Sequence, residues 1–104
     1  MNSLTKDSSL KCVARSTMIA RGQDWVDKHI PYNKTYDGYR TDCSGFVSMC
    51  WQLPTPGHTT STLPGVSSTI SRGELQPGDA ILCPGTHVVL FAGWADSSHY
   101  IGME

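Results

Sequence analysis

The residues able to do chemistry in this 104-residue chain fall in two short segments. One is Thr41-Asp42-Cys43-Ser44-Gly45-Phe46-Val47. The other is Gly78-Asp79-Ala80-Ile81-Leu82, followed by His87-Val88-Val89-Leu90-Phe91-Ala92-Gly93. Cys43 stands at the predicted start of a helix, where unpaired N–H groups and the helix dipole favour an anion. The thiolate is the nucleophilic form of cysteine, and such a position promotes it. Gly45 is expected to keep the helix start slim and to admit a substrate backbone. The same N–H groups suit an oxyanion hole when they point at the reacting carbonyl oxygen. His87 opens a strand after a Gly-containing break, so its ring is placed to share a proton with Cys43.

A nucleophile and a base need a third group to fix the tautomer and tilt of the imidazole. Two residues compete for that role, His99 and Glu104. If 87–94 and 99–104 form a hairpin around 95–98, Trp94 faces His99 and Val89 faces Glu104. Opposed residues share a face of a sheet, as do positions two apart on one strand. Glu104 then falls on the face of His87, while His99 falls on the other face, far along the strand. The register gives Glu104 a slight preference.

These groups must be held by the elements around them. From Ala14 to Ile30, Ile19, Gly22, Val26 and Ile30 recur at helical spacing, widened by Ala14, Met18 and Trp25. Pro31 ends that helix. Residues 32–41, with three Tyr, Asn33, Asp37 and Gly38, read as a loop. A second helix starts at Thr41 or Asp42, either of which can cap it, and runs to Pro54. Residues 54–70 read as a Thr/Ser/Pro/Gly surface loop, with one helical turn near Ser67 to Ile70. After the Pro77-Gly78-Asp79 turn come strands at Ala80 to Cys83, His87 to Trp94 and His99 to Met103. Residues 1–12 read as a loose polar lead-in, and 13–104 as one domain.

Composition narrows the partners. Eight Lys and Arg against nine Asp and Glu leave no basic field for nucleic acid. Charged residues are only 16% of the chain, below the quarter or so usual in globular domains, and ten Gly and six Pro point to a turn-rich fold. No apolar run is long enough to span a bilayer, and the N-terminus lacks the apolar core of a signal peptide. Cys12, Cys43, Cys50 and Cys83 match no CxxC zinc spacing. With Cys43 free, at most one disulfide forms among the other three, and buried small hydrophobes are the preferred reading. His29, near the end of the first helix, suits its dipole as a cation. A zinc site joining His29, His58 and His87 has no supporting spacing, and no metal is assigned.

Taken together, these segments resemble the NlpC/p-sixty cysteine peptidases, papain-like hydrolases of bacterial cell-wall peptides. Asp-Cys-Ser-Gly-Phe-Val at 42–47 matches the family's nucleophile helix. Leu75-Gln76-Pro77-Gly78-Asp79 matches its Leu-x-Pro-Gly-Asp, and residues 87–93 match its His-Val, apolar strand and Gly. Pro31-Tyr32 matches its upstream Pro-Tyr pair. The resemblance implies an α+β, papain-like NlpC-type domain, its nucleophile helix packed on a small antiparallel sheet.

The same resemblance implies roles. Cys43 is similar to the nucleophile, His87 to the general base and acid, and Glu104 or His99 to the orienting third member. Tyr32 resembles the tyrosine beside the oxyanion hole, with packing as its other reading. Asp42 and Ser44 resemble residues that hold the substrate's amino end, with helix capping as theirs. The implied activity is cleavage of the γ-D-glutamyl to diamino-acid bond of a peptidoglycan stem peptide, with no cofactor. The alternatives are an N-acetylmuramoyl-L-alanine amidase or acyltransferase on the same scaffold, or a non-catalytic wall-binding module. A secreted or cell-envelope location is expected from the family.

Two departures accompany the match. Asn33-Lys34-Thr35 stands where the family often has Trp-Gly-Gly, which implies a remodelled pocket wall. Tyr32, Tyr36 and Tyr39 there either stack on peptide or sugar or pack the loop. Family domains also usually continue with more strands, so the expectation is a monomer, or a strand-exchanged dimer if the chain is truncated.

Overall fold

The segment Cys43–Cys50 carries no charged residue on any side, and a helix of that kind belongs inside a protein. In the computed structural model, which describes residues 2–7, 13–83, 86–96 and 99–103, it forms helix α2, buried from Ser44 to Cys50. Around it lie β1 (Asn2–Lys6), α1 (Arg15–Asp27), β2 (Thr35–Tyr36), β3 (Tyr39–Arg40), β4 (Ser67–Ile70), β5 (Ala80–Cys83), β6 (His87–Trp94) and β7 (Tyr100–Met103). The five-stranded antiparallel sheet has the order β4-β1-β5-β6-β7, and β2 and β3 form a separate hairpin. The protein is α+β, with two helices and an antiparallel sheet. Among the described residues, no helix is long and apolar enough to cross a membrane.

Alternation along β6 splits the sheet's two faces. Val88 and Leu90 join Leu4, Ala80 and Leu82 in the main core under α2. Val89 and Phe91 meet Leu75 and Ile81 in a smaller cluster on the other side. Helix α1 lies against α2 at Gly22, where a Cβ would meet Phe46 Cζ at 3.1 Å and Cys50 Sγ at 3.2 Å. The buried stripe of α1 is Met18, Gly22 and Trp25. Val26, expected on that face, is exposed.

Four expectations change. The polar lead-in contains β1, which sits between β4 and β5 and buries Leu4. Ser67 to Ile70 is strand β4 rather than a helical turn, because it pairs with β1. The loop over 32–41 holds the β2–β3 hairpin, turned by Asp37 (φ 53°) and Gly38 (φ 88°). Positive φ at both central residues is the type I′ geometry that Asp-Gly favours. In the last hairpin, Trp94 pairs with Tyr100 rather than His99. A bulge between Phe91 and Gly93 absorbs the extra loop residue, and Gly93 has φ 148° there. The expected register returns at Phe91–Gly102 and Leu90–Met103.

The Pro77-Gly78-Asp79 turn ties these layers together. Asp79 is buried, and its Oδ1 accepts from Arg15 Nη1 of α1 at 2.7 Å. Its Oδ2 accepts from the Gln76 N–H at 2.9 Å. Its carbonyl takes the Phe91 N–H at 2.7 Å, and the Gly78 carbonyl takes the Trp51 indole N–H at 2.7 Å. Gly78, at φ 96°, sits where a Cβ would fall 2.7 Å from Met18 Sδ. One turn thus bonds α1, the end of α2 and β6.

Asp79→Ala is expected to cost about 3 kcal/mol, because it removes a buried carboxylate that is the charged acceptor of the Gln76 amide and the Arg15 guanidinium. Arg15→Ala should cost less, since the Arg15 side chain is 39% exposed and its loss leaves the Gln76 bond in place. Urea denaturation of both variants checks the order. Equal midpoints for wild type and Asp79→Ala would show that the turn holds without its carboxylate.

Candidate active site

Cys43 is the first residue of α2, and Asp42 is its N-cap with extended φ and ψ of −126° and −178°. Asp42 Oδ1 accepts from the Gly45 N–H at 2.7 Å, the usual capping bond. Ser44 Oγ donates to the same oxygen at 3.2 Å, and Arg40 Nε donates to Oδ2 at 3.2 Å. Arg40 also reaches the carbonyls of Gly57 and His58, at 2.9 and 2.8 Å. The cap is therefore fixed by both β3 and the 57–58 loop. It leaves the half-buried Cys43 thiol at the open end of the helix, where donors outnumber acceptors.

A cavity of about 500 Å³ opens at this helix end. Cys43, Asp42, Thr41 and Phe46 line it from α2 and the chain before it, and His87 lines it from the start of β6. Trp25 and Val26 of α1's last turn, with His29, Ile30 and Tyr32 beyond, complete the wall. That volume falls within the range of small-ligand sites, and the mix of apolar wall and few polar groups is typical of them.

Tyr32 is placed by the buried Thr41. The Thr41 carbonyl accepts from the Asn33 N–H at 3.1 Å, and the Lys34 carbonyl takes the Thr41 N–H at 2.9 Å. The Lys34 N–H in turn donates to Thr41 Oγ1. Although Tyr32 is largely exposed, its phenol is held above the usual tyrosine range, first by what burial it has. A backbone hydrogen bond from Cys43 opposes that shift, while negative charge at Cys43 and Asp42 and a hydrogen bond with the thiol add to it. Tyr32 and Cys43 thus line the same cavity as neighbours whose charges act on each other.

The structure does not bring every expected residue here. His99 sits beyond the far end of β6 from His87, and a strand of eight residues, advancing roughly 3.3 Å per residue, spans about 23 Å between its end residues. Its Nδ1 pairs with Asp96 Oδ1 at 2.9 Å on the exposed hairpin loop. His99 is therefore not the orienting partner of His87. Glu104 and Cys12 lie outside the described residues. Ser44 is buried under the cap and does not line the cavity. Asp42 lines it, with both carboxylate oxygens engaged. What approaches Gly45 is no substrate but the Arg40 carbonyl, 1.9 Å from where a Cβ would stand.

His58 lies off the cavity, its Nδ1 against Thr62 Oγ1 at 3.1 Å, so the three histidines do not converge. Among the described residues, no group of three or more His, Cys, Asp or Glu is placed to hold a metal ion. Cys50 and Cys83 are free thiols, Cys50 buried and Cys83 half-buried.

Sequence reasoning missed His29, which it treated as the last cation of α1. The helix ends earlier, and His29 adopts a left-handed φ of 51°. The signal available was Pro31. A proline forces the chain out of the helix, so residues just before it turn away from the helical face. No protein family, curated protein or solved structure matches this chain.

Proposed function

We propose that this protein is a papain-like thiol hydrolase of amide bonds, acting on peptidoglycan stem peptides. The observation that carries this reading is the shared cavity. One pocket holds a thiol at a helix N-terminus, an imidazole from a strand start and a phenol neighbouring the thiol. That set supplies a nucleophile, a proton carrier and polar groups at the position of a developing oxyanion. The motifs at 42–47, 75–79 and 87–93 support the cell-wall substrate, specifically the γ-D-glutamyl to diamino-acid bond.

The cycle follows from these groups. His87 takes the Cys43 proton, and the sulfur adds to the scissile carbonyl. The Cys43 amide N–H and the Tyr32 hydroxyl stabilise the oxygen that gains charge. The tetrahedral adduct collapses to a thioester, and His87 gives its proton to the departing amine. Water, deprotonated by His87, adds to the thioester; the thiolate leaves, and the acid product is released. Each proton and electron pair is handled by the chain and water.

Digestion of defined muropeptides, read by mass spectrometry, tests the assignment. The expected products are a fragment ending in γ-D-glutamate and a fragment with the diamino acid at its new amino end. Release of the whole stem from the sugar would replace this reading with an amidase. Intact muropeptide, with the protein merely retained on the wall, would replace it with a binding module.

A further inference from the structure

Among the described residues, the cavity contains one polar side chain that neither the fold engages nor the proposed cycle uses. Asp42 is engaged by Gly45, Ser44 and Arg40. Thr41 Oγ1 holds the Lys34 amide. Tyr32 neighbours Cys43, and His87 is the base. His29 also lines the cavity, and among the described residues nothing pairs with its ring. Its backbone is fixed all the same. The His29 N–H donates to the Val26 carbonyl at 3.1 Å, and the residue keeps a left-handed φ of 51°. Histidine adopts that conformation less readily than glycine, so its surroundings hold it there.

The charges around it favour an anion. Among the described residues no Lys or Arg lines the cavity, and the one carboxylate that does, on Asp42, is already paired with Arg40. The His29 imidazole and the donor end of α2 face the same cavity. The rest of the wall near His29 is apolar, from Val26, Ile30 and Trp25. Among the described residues on this wall, His29 is the polar partner that a carboxylate reaching it from the thiol would find.

We infer that His29 is a specificity-determining residue that anchors a free carboxylate on the acyl side of the scissile amide. This rests on the hydrolase reading and sharpens its substrate class. A γ-linked glutamyl residue carries such a carboxylate three carbons from the scissile carbonyl, and a γ-linked isoglutaminyl residue carries a neutral carboxamide instead.

The test uses L-Ala-γ-D-Glu and L-Ala-D-isoglutamine, titrated calorimetrically into the Cys43→Ala protein at about pH 6. The expected result is about fivefold tighter binding of the carboxylate form. His29→Asn, which tolerates a left-handed φ, should bring that ratio to about one, and His29→Lys should restore it. Equal binding of the two dipeptides, no binding of either, or an undiminished ratio in His29→Asn overturns the inference.

Turnover of the matched tripeptides by the unaltered protein separates the two claims. A carboxylate preference in binding with no cleavage of either tripeptide removes the hydrolase and leaves the subsite. Equal cleavage of both, lost in Cys43→Ala, removes the subsite and leaves the hydrolase.

Discussion

Cys43→Ala is expected to lower stem-peptide cleavage by about ten-thousandfold or more, with little change in thermal midpoint. In the proposed cycle the thiol forms the covalent intermediate, and alanine offers nothing that can. Its structural role is small, since the side chain is only half-buried at the first position of α2, where alanine is well tolerated. His87→Ala should give a comparable loss, because thiol and imidazole act as one unit. His87 is exposed at the start of β6, so its removal opens no core cavity. For the same reason the double variant should be hardly worse than either single one. Alkylation gives a second readout on the unaltered protein. Burial pushes the Cys50 thiol up to about 12, so iodoacetamide should label Cys43 well before Cys50. Peptide mapping of the labelled protein and product chromatography of the variants check both statements. Full cleavage by Cys43→Ala would end the nucleophile assignment, and a large fall in its melting temperature would make the residue a packing group.

The parts of the fold legible in the sequence are those that bury a continuous apolar pattern. Strands β5 and β6 run over the residues expected, Ala80–Cys83 and His87–Trp94. Helix α2 was marked by its apolar run and by Asp42, which caps it. Strands β1 and β4 were not legible, because their partners are each other and β5, far away in the chain. In Asn2–Lys6 only Leu4 enters the core, and one apolar residue makes no pattern. The β2–β3 hairpin was legible in principle, through Asp37-Gly38, but its strands of two residues are too short to show alternation.

The site divides along the same line. Cys43, His87 and Tyr32 carried motifs that named them, and one cavity brings them together. Val26 and Ile30 fit one helical face in the sequence; in the structure both line the cavity, and Ile30 also packs against the core. Periodicity identifies an apolar stripe without saying whether protein or ligand covers it. The hairpin register put His99 far along the strand from His87, and the pairing of β6 with β7 leaves it one residue beyond the Trp94–Tyr100 pair.

Gly45→Ala should destabilise the domain by at least about 4 kcal/mol, the range reached only by severe core disruption. Helix propensity alone argues the opposite sign, since alanine is favoured over glycine within a helix by about 1 kcal/mol. Packing decides. A Cβ at Gly45 would stand 1.9 Å from the Arg40 carbonyl oxygen, 2.8 Å from its carbon and 2.9 Å from Asp42 Oδ1. None of these atoms is the loose end of a flexible side chain. The Arg40 N–H is bonded to the Pro56 carbonyl at 3.0 Å, and its guanidinium holds the 57–58 carbonyls. Asp42 Oδ1 is itself bonded to the Gly45 N–H. Making room therefore means moving β3 off α2 or breaking the cap that positions Cys43. For a domain of this size, about 4 kcal/mol corresponds to a fall in melting temperature of roughly 15–30 °C. Gly73→Ala is the matched control, because no atom lies within 4 Å of its Cβ position. It should shift the midpoint by no more than a few degrees. If Gly45→Ala melts within that same margin, β3 and α2 are not in the contact described, and the cap does not hold Cys43 as drawn. If it folds only partially, cleavage should be lost with it, because the clash acts on the residues that set the thiol at the helix end.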